Sequence, residues 1–256
     1  MHWIRFERAG QTGFGTLRDG VIQIHEGDMF AGPHATSATV ALADVTLLTP
    51  CTPTKMIALW NNYHALAAKL NLSAPAEPLY LLKSPSSFLA GGQTIRVPAS
   101  YTGKVVYEGE LGIVIGKRTA NVSEADAVRH IFGYTCSNDV TAGELIQKDP
   151  TFAQWTRAKS FDTFGVFGPV IATDVNPLDL HVKTLLDGKE RQNYPVSDMV
   201  FKPAQIVSLI SRDMTLYPGD VISCGTSVGV GSMKPGSRIE IVIDGIGTLS
   251  NEYKSL

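Results

Sequence analysis

Apolar positions recur along much of this chain in short alternating runs, the two-residue period of half-buried strands. Trp3, Ile4 and Phe6, then residues 14–17, a turn at Asp19-Gly20 and residues 21–24 predict two or three short strands at the start. Residues 33–39 are small and polar, 44–48 resume an apolar run, and Pro50 and Pro53 then punctuate the chain. A domain boundary is therefore placed near residue 50, with a small β-rich N-terminal domain at 1–50 and the remainder at 51–256. Beyond it, 55–59 reads as a buried strand, 62–72 has the helical spacing of Leu66 and Leu70, 79–83 reads as a strand, and 84–92 as a loop. Residues 105–115 read as one long strand, 123–131 as a helix capped by Ser123, and 132–136 as a strand that runs into the polar break Ser137-Asn138-Asp139. Residues 200–210 read as an amphipathic helix, and 221–224, 239–243 and 247–249 as closing strands.

Composition sharpens this picture. Hydrophobic residues make up 44% of 256, enough for a packed core, whereas charged residues reach only 18% beside 24 Gly and 14 Pro. Short elements joined by turns follow, with strands dominating. The net charge of -2 and the absence of any Lys/Arg run longer than a dipeptide exclude the electrostatic footprint of a nucleic-acid binder, leaving a small molecule as the expected partner. Cys51, Cys136 and Cys224 lack the paired spacing of a zinc site or a disulfide framework and read as buried, reduced thiols. Residues 1–8 carry charge where a signal peptide needs an apolar run, and no stretch approaches ~18 consecutive apolar residues, so no membrane association and a cytoplasmic location are expected.

Candidate chemistry concentrates in Tyr107-Glu108-Gly109-Glu110-Leu111-Gly112-Ile113-Val114-Ile115-Gly116. Residues i and i+2 of a strand share a face, so Glu108 and Glu110 stand side by side, opposite Tyr107, Leu111, Ile113 and Ile115. Two solvated glutamates on a half-exposed strand would show the same alternation, but Gly112 and Val114 continue the face without polarity. Asp139 ends the next apolar strand; an Asn-Asp pair there is also an ordinary turn former. Taken together, three carboxylates supply hard oxygen ligands suited to Mg²⁺ or Mn²⁺, leaving roughly three octahedral positions for substrate and water.

The Glu-x-Glu strand, Phe132-Gly133-Tyr134-Thr135-Cys136-Ser137-Asn138-Asp139-Val140, Lys159-Ser160-Phe161-Asp162-Thr163-Phe164 before Gly168-Pro169, and Pro218-Gly219-Asp220-Val221-Ile222 before Gly225-Thr226-Ser227-Val228-Gly229-Val230-Gly231 together resemble the fumarylacetoacetate hydrolase family in order and spacing. The resemblance covers roughly residues 52–251. It implies an α+β, mainly β fold, a mixed β-roll with a small N-terminal domain, and usually a homodimer. It implies a divalent metal, Mg²⁺ or Mn²⁺, on Glu108, Glu110 and Asp139, a catalytic Lys159 facing the substrate, and Thr226 contacting the substrate carboxylate. A bare Lys159 would otherwise read as a surface lysine. Beside a cation-bound 2-oxo group, desolvation and the cation's field are expected to lower its pKa.

Two departures mark this sequence. Many members carry Asn-Tyr-x-x-His-x-x-Glu on a short lid helix whose His and Glu activate water; here Asn62-Tyr63-His64-Ala65-Leu66-Ala67-Ala68-Lys69 places Leu66 and Lys69 at those positions. His64, two residues away, would point about 160° from the Leu66 direction on a helix, and is kept as a catalytic candidate. After Asp139, where members often continue Ala-Arg-Asp, this chain has Thr141-Ala142-Gly143-Glu144, so the charge of the missing arginine falls to Arg157, Lys148 or Lys83. Tyr63 and Gln147 complete the substrate-binding candidates.

The expected activity is metal-dependent chemistry on a small 2-oxo or 2-hydroxy-enol carboxylate through a metal-bound enolate, of the kind used in aromatic-acid degradation. Isomerisation or decarboxylation is favoured because neither needs a positioned nucleophilic water. The rival readings are hydrolysis of acylpyruvate or fumarylacetoacetate-like 1,3-dicarbonyls, and a metal-binding homologue without turnover.

Overall fold

The computed structural model describes residues 1–255. The chain opens as a meander of strands His2–Arg8, Gln11–Arg18, Val21–Glu26 and His34–Ala41, each paired antiparallel to the next, with Asp19-Gly20 at the second turn as the sequence predicts. Residues 33–39, polar in sequence, join this sheet, because an edge strand exposed on one face needs no apolar pattern.

His2 and Trp3 pair with Ala172 and Ile171, which joins the meander to a larger mixed sheet through strand Gly165–Ala172. From there the order continues through Ile131–Asp139, Gly109–Ile115, Val221–Ser223 and Met56–Trp60 to Leu79–Lys83 at the edge, giving twelve strands with the short side strands Thr46–Leu47 and Phe88–Leu89. Two smaller sheets complete the β structure. The three-stranded one contains Val105–Tyr107, and the five-stranded one is built around the hairpin His181–Leu186/Lys189–Pro195 and the pair Arg238–Ile243/Gly247–Lys254. The fold is mainly β with mixed sheets, as expected.

Central strands are buried on both faces. Leu111, Ile113 and Ile115 enter the main core with Ile239, Ile241 and Ile243, while Val114 turns to a second cluster with Trp3, Phe167 and Ile171. Helix Pro203–Asp213 buries Ile206, Val207 and Ile210. It starts three residues later than the apolar pattern predicts, because the residue before a proline is driven out of the helical region and Lys202 is extended (φ -77, ψ 161). The expected helix over 62–72 contracts to His64–Lys69, with Tyr63 extended before it and Asn71 left-handed (φ 54) after it. The expected helix over 123–131 divides into Glu124–Ala127 and a tighter turn Val128–His130; Ser123 caps it, its Oγ accepting from the Asp126 amide at 3.1 Å. All three cysteines are buried and unpaired. Among the described residues, no helix is long and apolar enough to cross a membrane.

Two differences from the sequence reading shape the site. Residues 105–115 are not one strand: Val105–Tyr107 pairs with Thr141–Ala142 and Gly231–Ser232, and the chain changes sheet at Glu108. Ser137-Asn138-Asp139 is not a break but the last turn-free stretch of a nine-residue strand, because each of the three has a ladder partner in Gly165–Ala172.

Candidate active site

Antiparallel register brings the three carboxylates together. Gly109 lies opposite Asn138 and Glu110 opposite Ser137, and the Asp139 amide donates to the Glu108 carbonyl at 2.9 Å. Directly opposed residues project from the same face of a sheet, so Glu108, Glu110 and Asp139 converge although Asp139 lies some thirty positions away in sequence. Each offers an oxygen within 4.8 Å of the others, and all three residues are buried.

Gly109, between the glutamates, is required by packing. A Cβ there would lie 2.1 Å from Thr184 Oγ1 and 3.2 Å from Gln192 Oε1, atoms of the hairpin that lies across the Glu strand. Gln192 ties this region together, its Oε1 accepting from the Gly109 amide (3.0 Å) and Thr184 Oγ1 (2.8 Å) while its Nε2 donates to Thr226 Oγ1 (2.8 Å). Thr226 Oγ1 in turn donates to the Gly109 carbonyl at 2.9 Å. Beside it, Gly225 takes a left-handed conformation (φ +88) that aims its amide at Glu110 Oε2, 2.8 Å away. Glu110 Oε1 is buried with no hydrogen-bond partner.

Two buried lysines face the carboxylates. Lys159, on the short helix Trp155–Lys159, donates to Asp139 Oδ2 (2.5 Å), Glu108 Oε2 (2.9 Å) and Thr141 Oγ1 (2.8 Å). Lys83, at the end of the edge strand, donates to Asp139 Oδ1 and to the Val140 carbonyl. Burial depresses the pKa of Lys159, but Asp139, Glu108 and Glu110 outweigh it and hold the ammonium above its usual range when no cation shares those carboxylates. Burial wins at Lys83, which falls below its usual value despite Asp139. Burial also pushes Glu110 well up, reinforced by Asp139 and Glu108, and raises Glu108 in spite of Lys159. Asp139 alone is lowered: burial opposes its charge, but Lys159 and Lys83 together prevail.

The donor set fits a hard divalent cation. Three carboxylates offer only oxygen, and the orphaned Glu110 Oε1 is a buried acceptor that such an ion would satisfy. Against two ammonium groups, three ionised carboxylates leave one negative charge in excess, which a divalent ion converts to one positive, the sign that attracts an anionic substrate.

A cavity of about 330 Å³ opens onto this cluster, with Lys69, Glu108, Thr141 and Thr226 as its polar lining and Trp60, Leu66, Ile146 and Trp155 among its apolar walls. The two tryptophan rings lie 5.1 Å apart, centroid to centroid. A larger hollow of about 640 Å³ beside Tyr80 and Phe152 shares only Trp155 with it and reaches none of the carboxylates. Of the remaining candidates, His64 and Gln147 are exposed and lie outside the cavity lining; Tyr63 is fully buried, edge-on to Tyr194 at 4.9 Å, and also outside it. The structure places Leu66 and Lys69 on the cavity instead. Lys83 was legible only as one of three substitutes for a missing arginine; Thr141 and Gln192 carried no signal, being ordinary polar residues in stretches without motif.

The sequence profile described as Fumarylacetoacetate (FAA) hydrolase C-terminal matches residues 55–253. The chain belongs to this family. A second profile, Rv2993c-like, N-terminal, matches residues 1–50. Among relatives of this fumarylacetoacetate hydrolase family member, a protein of Archaeoglobus fulgidus is 44% identical over 212 residues, spanning 83% of this chain and 83% of its own. The oxaloacetate tautomerase YisK of Bacillus subtilis (strain 168) is 36% identical over 226 residues, spanning 82% of this chain and 74% of its own. The crystal structure of 2-hydroxyhepta-2,4-diene-1,7-dioate isomerase from Mycobacterium marinum matches with a TM-score of 0.91 at 37% identity, over 100% of this chain and 98% of that one. The chain is thus an enzyme of the fumarylacetoacetate hydrolase family, whose relatives include tautomerases and isomerases, with a buried acidic triad able to hold a metal.

Proposed function

We propose that this enzyme interconverts the keto and enol forms of a small 2-oxo acid, or decarboxylates it, with Mg²⁺ or Mn²⁺ on Glu108, Glu110 and Asp139. The observation that carries this reading is the cavity lining: beside the acidic cluster stand Leu66 and Lys69, an aliphatic side chain and a cation, and no group on that helix face can accept a proton from water. When bound, the divalent ion supplies a Lewis acid that draws electron density from a 2-oxo carboxylate.

The chain's own residues do the rest. Thr226 lines the cavity between Gln192 and the Gly109 carbonyl, and orients the substrate carboxylate by turning onto it the hydroxyl proton that it otherwise donates to Gly109. Lys159 does not line the cavity, but Thr141 does, and the 2.8 Å bond from Lys159 Nζ to Thr141 Oγ1 gives the ammonium a route for its proton. Ketonisation moves a proton from the enol oxygen to carbon: Lys159 gives its proton to the carbon through Thr141, the enol oxygen's proton returns to the amine, and the ammonium's charge opposes the negative charge on the substrate oxygen meanwhile. The apolar walls exclude bulk water, which strengthens both effects.

The test is enol oxaloacetate supplied to the Mg²⁺- or Mn²⁺-loaded enzyme and followed by NMR. Accelerated ketonisation or loss of carboxylate is expected, and acceleration of neither defeats the proposal.

A further inference from the structure

We infer that Lys69 is the recognition residue for a second, distal carboxylate of the substrate, so that this site selects 2-oxo diacids over 2-oxo monoacids. The inference deepens the proposed function and rests on the acidic cluster as the place where the 2-oxo carboxylate end is held.

Among the described residues, Lys69 is the sole cation lining the cavity that reaches Glu108 and Thr226. The other basic residues near the cluster do not line this cavity. Lys83 and Lys159 are buried in the carboxylate cluster, Arg157 borders the neighbouring hollow, and Lys148 is exposed outside the lining. Lys69 itself, among the described residues, has no ion-pair partner. It sits in the last turn of His64–Lys69, three residues after Leu66, so the two share a helix face, and both line the cavity. The rest of the wall is largely apolar, with Trp60, Leu70, Ile146, Trp155 and Val230. An uncharged substrate tail would use that wall and gain nothing from an ammonium. A carboxylate held there without Lys69 would lose its water for no compensating charge. At this exposed position the attraction is screened by salt, so the preference shrinks as ionic strength rises.

The experiment measures equilibrium binding rather than turnover. L-Malate and L-lactate, 2-hydroxy acids differing in the distal carboxylate, are titrated calorimetrically into the Mn²⁺-loaded enzyme, into Lys69→Met and into Lys69→Glu. The parent is expected to prefer malate by tenfold or more, Lys69→Met to lose that preference, and Lys69→Glu to reverse it, with lactate affinity unchanged within about threefold across the three proteins. Lys69 is exposed, so both variants keep the fold. An undiminished malate preference in Lys69→Met, or an equal loss for both ligands, overturns the inference. Because binding needs no catalysis, a Lys69-dependent preference in an enzyme that leaves oxaloacetate untouched would uphold this assignment while removing the proposed reaction.

Discussion

Nζ of Lys159 lies 2.5 Å from Oδ2 of Asp139 and 2.9 Å from Oε2 of Glu108, with all three side chains buried. The lysine therefore holds two of the proposed metal ligands in place while competing with the ion for their charge. Lys159→Met should abolish turnover, by at least a hundredfold, without weakening Mn²⁺ affinity. In the metal-free protein the same change strands buried carboxylates, and removing one partner of such a pair costs roughly 3–5 kcal/mol. Thermal unfolding with and without Mn²⁺ checks both halves: the variant should melt lower than the parent when metal-free and recover most of the difference when loaded. Turnover within threefold of the parent would remove Lys159 from the chemistry.

Metal uptake should release protons. Glu110 is held well above the usual carboxylate range by burial and then by Asp139 and Glu108, so it keeps its proton to higher pH than a free carboxyl and a bound cation must displace whatever proton it carries. Its contribution to the stability of the metal-free fold is fully present below its unfolded value, near 4.5, and is lost as pH rises through the raised one. Asp139 runs the other way: its lowered pKa gives stability that is present above 3.8 and lost as pH falls through the depressed value. Titrating Mn²⁺ in buffers of different ionisation enthalpy measures the proton count, and a heat independent of buffer would contradict the protonated Glu110.

The acidic cluster was legible because Glu108 and Glu110 obey the two-residue period and Asp139 ends a strand within a recognisable motif. Its supports were not. Gln192 and Thr184 are polar residues at buried positions of a hairpin, beside Val182 and Tyr194, so its apolar alternation is broken where it meets the Glu strand. The break at Glu108 is likewise invisible, since Val105 to Tyr107 and Leu111 to Ile115 continue one apolar pattern across a change of sheet. Lys83 ends an ordinary edge strand, and only tertiary structure turns it onto Asp139. Local pattern thus identified the groups proposed to do the chemistry, whereas the residues fixing their positions depend on partners far along the chain.

Gly109→Ala tests that support directly. Its Cβ would fall 2.1 Å from Thr184 Oγ1, and overpacking of this kind typically destabilises by about 1–3 kcal/mol. Because the displaced hairpin also carries Gln192, the variant should bind Mn²⁺ at least tenfold more weakly. Pairing it with Thr184→Ala, which removes the clashing hydroxyl, should restore part of the affinity. No rescue would show that the strand rather than the hairpin shifts.

Asp220 holds the fold away from the chemistry. Its fully buried carboxylate accepts from the amides of Thr54 (2.9 Å), Lys55 (3.1 Å) and Tyr217 (2.8 Å) and from Lys55 Nζ (2.6 Å), joining the start of the Met56–Trp60 strand to the Val221–Ser223 strand. Hydrogen bonds to charged groups contribute about 1.5–3 kcal/mol each, so Asp220→Ala should lower the unfolding free energy by more than about 3 kcal/mol in urea titrations. A smaller loss would mean that water replaces the carboxylate.

The cavity wall predicts what the enzyme does poorly. Hydrolysis of an acylpyruvate needs a base that takes a proton from water near neutral pH; Leu66 cannot accept one, Lys69 opposes its approach, and His64 is exposed outside the cavity. The parent should therefore cleave acylpyruvates slowly, and His64→Ala should change that rate little. Leu66→His combined with Lys69→Glu puts an imidazole and a carboxylate three residues apart on the helix face that lines the cavity, where the carboxylate can orient the ring. A general base contributes about 10² to 10⁴-fold when well placed, so even an imperfect dyad should raise the hydrolytic rate tenfold or more, measured as pyruvate released. The same exchange removes the cation at position 69, so the gain should appear with acylpyruvates and not with diacids. Rapid acylpyruvate cleavage by the parent would show that water is activated without this helix.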